Sequence, residues 1–341
     1  MSITKLSKTL LGAACALALT GSAWANWGQQ NAAEPTVAQP TGPHTPPGTW
    51  DNFDPVYNVC RGTDPRCYHP WVDNRQNKVL IYTRTAGPRH ANLGPALPAG
   101  RNPPLTAAHI VQNGLIAWMA EQGVQADWTE DVTQLSNLNQ YKAVIFASTS
   151  RDTLFKHGTA VEAARAVNTT TGAHLDAGRT SLRQYIRAGG GFVGIHNAFG
   201  TEYNWPWYEG LLGNANYYDH GANQNGTVHI VANDSSTAGV GSFEFRDEWY
   251  NLVPFPSRVR FLATVDEDTM AIKRTSGHPG HGKFHPVTWC QYYDGGRAWL
   301  TTMGHDAKAF TTDGSFPGAE HFQKMVLGGI ESTMGKKSFC R

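Results

Sequence analysis

Charge is scarce in this 341-residue chain. Only 16% of it is Asp, Glu, Lys or Arg, and the two signs nearly cancel at a formal net charge of +1. With no excess of either sign, there is no electrostatic ground for expecting nucleic acid or an anionic membrane as a partner. Long apolar runs are missing as well: residues 9–20 form the one extended stretch, too short to span a bilayer. No membrane insertion is therefore expected. A compact ligand pair of the H-E-x-x-H type is absent, and Cys60 and Cys67, with no second pair nearby, make a poor zinc site. The most informative absence lies in residues 189–208, GGGFVGIHNAFGTEYNWPWY. The apolar run Phe192–Ile195 reads as a buried strand that breaks into a sharp turn. Many α/β enzymes carry a serine or cysteine nucleophile on such an elbow, but here the apex is His196.

Glycine (36), proline (19), histidine (14) and tryptophan (11) are abundant. Loops of this composition offer flat apolar faces beside neutral hydrogen-bonding groups, which suits a sugar or another polar, uncharged ligand. A loop-rich protein using tryptophan as core filler fits equally well. Residues 1–25 read as a signal peptide: Lys5 and Lys8, then the apolar run 9–20, then Ala23-Trp24-Ala25 before a cut ahead of Asn26. Gly12 disfavours a lipobox at Cys15. Export to the periplasm or the extracellular space is expected, an oxidising setting. The four remaining cysteines allow three pairings. Cys60 and Cys67 bracket a turn-rich loop whose closure contributes about 2.5 kcal/mol, and Cys290 with Cys340 would tie the C-terminal tail to a strand.

Residues 26–77 are expected to form a disordered leader followed by a cysteine-bearing strap, and residues 78–335 a single α/β domain with a short tail, 336–341. Expected strands are 79–82, 124–128, 143–146 and 192–195, with helices at 105–122 and 181–188, the latter capped by Thr180. A further helix is expected at 159–167, inside an insertion at 151–178. Apolar strands without alternation, separated by helices, predict a doubly wound, mostly parallel sheet. Antiparallel strands are added in the C-terminal half: 228–231, 258–264 and a hairpin 287–293/297–303 turning at Asp294-Gly295-Gly296. Helix 319–333 closes the chain.

Ligands of such sheets sit beyond the carboxyl ends of the strands. Polar residues converge there: Thr83 to His90, Ser148 to Asp152, His196, and Gly304-His305-Asp306. Loops add Asp219-His220, Asp247-Glu248-Trp249-Tyr250, and a run with His278, His281 and His285. Several histidines with a carboxylate also make a divalent metal such as zinc possible, although the spacing singles out no ligand set. An elbow-apex side chain is expected to face a site and bury little area, so His196→Ala should cost at most about 1 kcal/mol.

Taken together, these stretches resemble the ThuA-like (trehalose utilisation) family of the class I glutamine amidotransferase-like superfamily. The resemblance rests on Lys78–Gly87 with Arg89-His90, the Tyr185–Trp207 block, Asp247-Glu-Trp-Tyr, His285-Pro-Val-Thr-Trp, and Gly295 through His305. It implies a flavodoxin-like sheet and a link to disaccharide metabolism. Amidotransferase relatives carry a cysteine at the elbow; with His196 there, the covalent route to glutamine hydrolysis is lost.

Two functions follow as expectations. One is an exported carbohydrate-active enzyme for a disaccharide, glycoside or keto-sugar, with His196 and His305 as acid and base and Glu248 orienting or relaying. His90, Glu202, Tyr203, Trp205, Asp219, His220 and His285 would then bind the small-molecule carbohydrate. The other is a non-catalytic carbohydrate-binding protein whose Trp205, Trp207 and Tyr203 stack on the ligand. Of the two tryptophans, one is expected to pack inward and one to face the ligand. Oligomeric state is not legible in the sequence.

Overall fold

The computed structural model describes residues 52–72, 75–155, 177–272, 277–311 and 314–341. The expected signal peptide and the expected helix at 159–167 lie outside them. In chain order the strands are β1 (Phe53–Asp54), β2 (Val59–Gly62), β3 (Gln76–Tyr82), β4 (Gln125–Thr129), β5 (Tyr141–Ala147), β6 (Gly191–Ile195) and β7 (Tyr217–His220). They continue with β8 (Gln224–Ile230), β9 (Phe243–Asp247), β10 (Tyr250–Leu252), β11 (Arg260–Asp266), β12 (His285–Tyr293) and β13 (Gly296–Thr301). The α-helices are α1 (Ile110–Glu121), α2 (Ala177–Arg187), α3 (Pro206–Leu211) and α4 (Ala319–Thr333).

One sheet runs in the order β4-β3-β5-β6-β13-β12-β11-β8-β9. The first five strands are mutually parallel, and from β13 onward every pairing is antiparallel. Numbered by sequence, the parallel half has the flavodoxin order 2-1-3-4-5, with a switch point between β3 and β5 where ligands collect. Burial explains the composition of each half. In the parallel half every residue of β6 is buried, as is Ala143–Ala147 of β5, because helices cover both faces and no position is left for a polar residue. In β9, by contrast, buried and exposed residues alternate, so one face meets water.

Element boundaries moved where local chemistry overrode periodicity. α1 begins at Ile110 rather than 105, because Thr106 and His109 close a turn ahead of it: the Thr106 amide donates to His109 Nδ1 at 2.9 Å. Thr180 lies inside α2 and does not cap it. β11 starts at Arg260 rather than 258, since Arg258 has φ +55° and cannot continue a strand. α4 spans the expected residues. Both cysteine pairs are joined, Cys60–Cys67 and Cys290–Cys340. β2 extends the far end of β12, so the strap belongs to the sheet. Among the described residues, no helix is long and apolar enough to cross a membrane.

Candidate functional site

The site is assembled from the loops leaving the carboxyl ends of the parallel strands. β6 ends at Ile195, and the next residue, His196, has φ +52°. A non-glycine residue rarely holds this conformation unless its surroundings enforce it. Ser148, Arg151 and Glu202, on the loops after β5 and β6, also have positive φ, so backbone strain gathers on this rim. His196 is fully buried, and its Nδ1 lies 2.9 Å from the Thr302 carbonyl oxygen. A carbonyl only accepts, so Nδ1 carries the proton and Nε2 presents a lone pair. That lone pair faces the Tyr250 hydroxyl at 3.0 Å and His90 Nε2 at 3.2 Å.

Two clamps bring the other loops to it. Arg89 ties the loop after β3 together, donating to the carbonyls of Leu93, Gly94 and Pro95 and to Glu130. Asn92 then donates to the carbonyls of Gly304 and His305, which joins this loop to the one after β13. Opposite, buried Asp247 accepts from the amides of Glu248, Gly304 and His305. Gly304 needs no side chain here, since its φ is +122°. Burial pushes the Asp247 carboxyl up to about 7, even against its backbone donors.

His90, His196 and His305 therefore surround one point, with ring centroids 4.7–5.4 Å apart. A Glu248 carboxylate oxygen lies 3.0 Å from His305 Nδ1 and 3.6 Å from His220 Nε2. Their environments drive the rings apart electrostatically. Burial and the neighbouring His305 charge lower His90 to about 4, and burial holds His196 well below its ordinary value. Burial also acts to lower His305, but Glu248 outweighs it and the ring is raised. Glu248 is held below its ordinary value, with His305 outweighing burial. His90, His220 and Glu248 of this group line a cleft of about 290 Å³ together with Arg151, Asn197, Tyr203, Tyr217 and Tyr250, while His196 and His305 contact His90 and Glu248 without lining it. One donor atom from each of His90, His196, Glu248 and His305 falls within 4.8 Å of all the others, a set able to hold a metal ion.

Of the residues singled out from the sequence, His90, His196, Tyr203, His220, Glu248 and His305 come together here. Four do not. Glu202 is wholly buried, paired with Arg179 and bonded to the Leu154 amide, and burial raises it to about 7. Trp205 stacks on Trp207 at 4.7 Å beneath Arg179, while Trp207 donates to Asp294. Neither tryptophan lines the cleft, because both are consumed by packing around α3. Asp219 and His285 belong to a neighbouring group, with His278, His281 and Glu267. In that group Asp219 accepts from Asn251 and from the His278 amide, and His285 lies between Glu267 and the Tyr250 carbonyl. Tyr217 and Asn197 were not picked out from the sequence, and Arg151 and Tyr250 were named only within longer polar runs, with no role assigned. Tyr250 and Asn197 stand beside residues that were picked out, and only the fold reveals which of the neighbours face inward.

A doubly wound α/β protein with flavodoxin strand order, bearing a histidine where its nucleophile elbow turns, is thus the class defined by fold and site. The chain belongs to the ThuA family, described as trehalose utilisation, whose model matches residues 78–332. Among solved structures it is similar to a ThuA-like protein from Bacteroides uniformis, with TM-score 0.53 and 20% identity over 77% of this chain and 94% of that one. A ThuA-like protein from Parabacteroides merdae gives TM-score 0.51 and 15% identity over 76% and 90%. No curated protein matches the sequence.

Proposed function

We propose that this is an exported protein that binds a small neutral carbohydrate in the 290 Å³ cleft and transforms it at the histidine–carboxylate cluster. The substrate class is a disaccharide, a glycoside or a keto-sugar. The observation that carries the reading is the meeting of His90 and Glu248 in a cleft walled by Tyr203, Tyr217 and Tyr250, with His196 against the first and His305 against the second. Tyrosines supply apolar ring faces for the C–H surface of a pyranose and hydroxyls for its polar edge. Asn197, His220 and Arg151 add donors to the same wall. The volume is at the small end of ligand pockets, about 300–1,000 Å³. The family's association with trehalose utilisation supports a sugar as the ligand.

The reaction is proton transfer at a carbon beside a keto group, or at a glycosidic oxygen. In the first case the cluster receives the proton, the C–H pair becomes the C=C bond of an enolate and the carbonyl π pair moves onto the ketone oxygen. In the second the cluster gives a proton to the glycosidic oxygen, the C–O pair leaves with that oxygen, and water adds to the anomeric carbon and returns a proton to the cluster. Glutamine hydrolysis is not the reaction, since the elbow side chain is an imidazole and no thiolate stands there. Incubating the protein with disaccharides and their keto derivatives in deuterated buffer, with NMR detection, tests this. Deuterium incorporation or bond cleavage by the wild type, lost in Glu248→Gln and in His305→Ala, is expected. Saturable binding without any chemical change would leave a binding protein and remove the enzyme.

A further inference from the structure

We infer that His90, His196, Glu248 and His305 hold a divalent first-row transition-metal ion, and that this ion is the reactive centre of the cleft. The inference deepens the proposed function and rests on its choice of cleft, but it stands on a separate set of observations.

The first is the donor set. Three imidazoles and one carboxylate, each offering an atom within 4.8 Å of the other three, match the ligands favoured by zinc and its neighbours. Two of the donor pairs are 3.2 Å apart (His90 Nε2 to His196 Nε2) and 3.0 Å apart (His305 Nδ1 to Glu248). With metal–nitrogen bonds of roughly 2.0–2.1 Å, the edge of a tetrahedron is about 3.4 Å. Two of the six donor pairs thus stand near the spacing that a common ion imposes, and the rest, within 4.8 Å, would have to draw in around it.

The second is unsatisfied bonding. His305 Nδ1 is buried 3.0 Å from the carboxylate, yet the approach does not meet hydrogen-bond geometry. His196 Nε2 has one lone pair facing both the Tyr250 hydroxyl and His90 Nε2. The His196 lone pair is thus already shared between two partners, and the unsatisfied donor is His305 Nδ1, which stands beside a carboxylate without bonding it. A buried donor left unpaired is costly, and a cation between His305 Nδ1 and the Glu248 carboxylate would satisfy both.

The third is the support behind the ligands. His196 Nδ1–H is fixed by the Thr302 carbonyl, which sets the tautomer and turns Nε2 inward, as outer partners of metal-bound histidines do. Asp247 and Asn92 fix the backbone that presents Glu248 and His305. The second histidine group lacks this character. There His281 Nε2 accepts from the Leu252 amide, His278 Nδ1 accepts from the Gly280 amide, and His285 has partners at both ring nitrogens. Its rings pin a loop.

With the ion in place, the histidines act as ligands. The ion would polarise a sugar oxygen and lower the pKa of a bound water, whose hydroxide form would take the proton otherwise assigned to the cluster.

The test is calorimetric titration of chelator-stripped protein with Zn²⁺ alone, repeated with Mn²⁺ and Ni²⁺, and a Co²⁺ absorption spectrum to report ligand geometry. One equivalent bound is expected. In Glu248→Gln and in His305→Ala affinity should fall by at least about 100-fold, more than outer partners typically contribute, while His229→Ala should bind as the wild type does. Glu248→Gln keeps the side-chain shape, so its loss of metal cannot be put down to misfolding if its circular dichroism is unchanged. No binding of any of these ions by the wild type, or equal binding by all the variants, overturns the inference. Sugar binding to stripped protein is measured alongside: if it persists without metal uptake, the carbohydrate cleft stands and the ion falls.

Discussion

His196 combines three properties that pull in different directions: a strained backbone, full burial, and a lone pair aimed at other polar groups. From sequence, an elbow apex reads as an exposed side chain whose loss costs little. The structure changes that expectation, because removing the ring strands the buried Thr302 carbonyl and opens a cavity. His196→Ala should therefore lower stability by about 1–3 kcal/mol, in addition to abolishing function. His196→Asn tolerates positive φ better and should keep more of the stability while still losing function. Denaturant titration of both variants checks the ordering, and an alanine variant as stable as the wild type would show that the ring is not held as described. At this scale the histidines of the site were legible because each follows a strand. Burial and strain were not, since they depend on Thr302 and Tyr250, which lie more than fifty residues away in the chain.

Among the elements, the loop entering β12 is governed by one carboxylate. Glu267 receives the ring of His285 and the amides of His281 and Gly282. Burial acts to raise it, but these donors prevail and hold it at about 2, against an ordinary value of 4.5. A depressed carboxylate contributes stability that is fully present above 4.5 and is lost as the pH falls toward 2. His281 adds to the acid sensitivity. Burial lowers it to about 4, so the unfolded chain takes up its proton first and stability declines as pH drops from about 6.5 to 4. Glu267→Gln should be less stable near neutrality and show a shallower loss between pH 4.5 and 2; an unaltered acid profile would refute this placement of the charge. The cysteine pairs act at the same scale. Chain entropy assigns about 4 kcal/mol to the 50-residue closure of Cys290–Cys340 and about 2.5 to the 7-residue closure of Cys60–Cys67. Cys340→Ser should accordingly destabilise more than Cys67→Ser in thermal unfolding. Strand positions were readable because buried parallel strands leave continuous apolar runs. Helix starts were misread where a local turn, as at Thr106–His109, replaced the first helical turn.

Across the whole molecule, the loops of the parallel half supply His90, Arg151 and Asn197, Glu248 follows β9 in the antiparallel half, and Tyr217, His220 and Tyr250 come from the separate β7–β10 pair, so no one of the three completes the cleft. The doubly wound, mostly parallel sheet was legible from the alternation of strand and helix, and its flavodoxin-like order followed from the family resemblance. The partition of aromatic residues was not: periodicity cannot tell that Trp205 and Trp207 stack on each other while Tyr217 and Tyr250 line the cleft. Export is proposed from residues 1–25, and N-terminal sequencing of secreted protein should begin at Asn26. Calorimetric titration of the purified protein with disaccharides and their keto derivatives, for the wild type and for Tyr217→Ala, bears most directly on the cleft as a carbohydrate site. Tyr217 lines the wall and is not among the four grouped donors. Saturable binding by the wild type, weakened at least about tenfold in the variant, is expected, since one lost aromatic contact is worth on the order of 1.4 kcal/mol or more. No binding of any sugar, or binding indifferent to Tyr217, would contradict it.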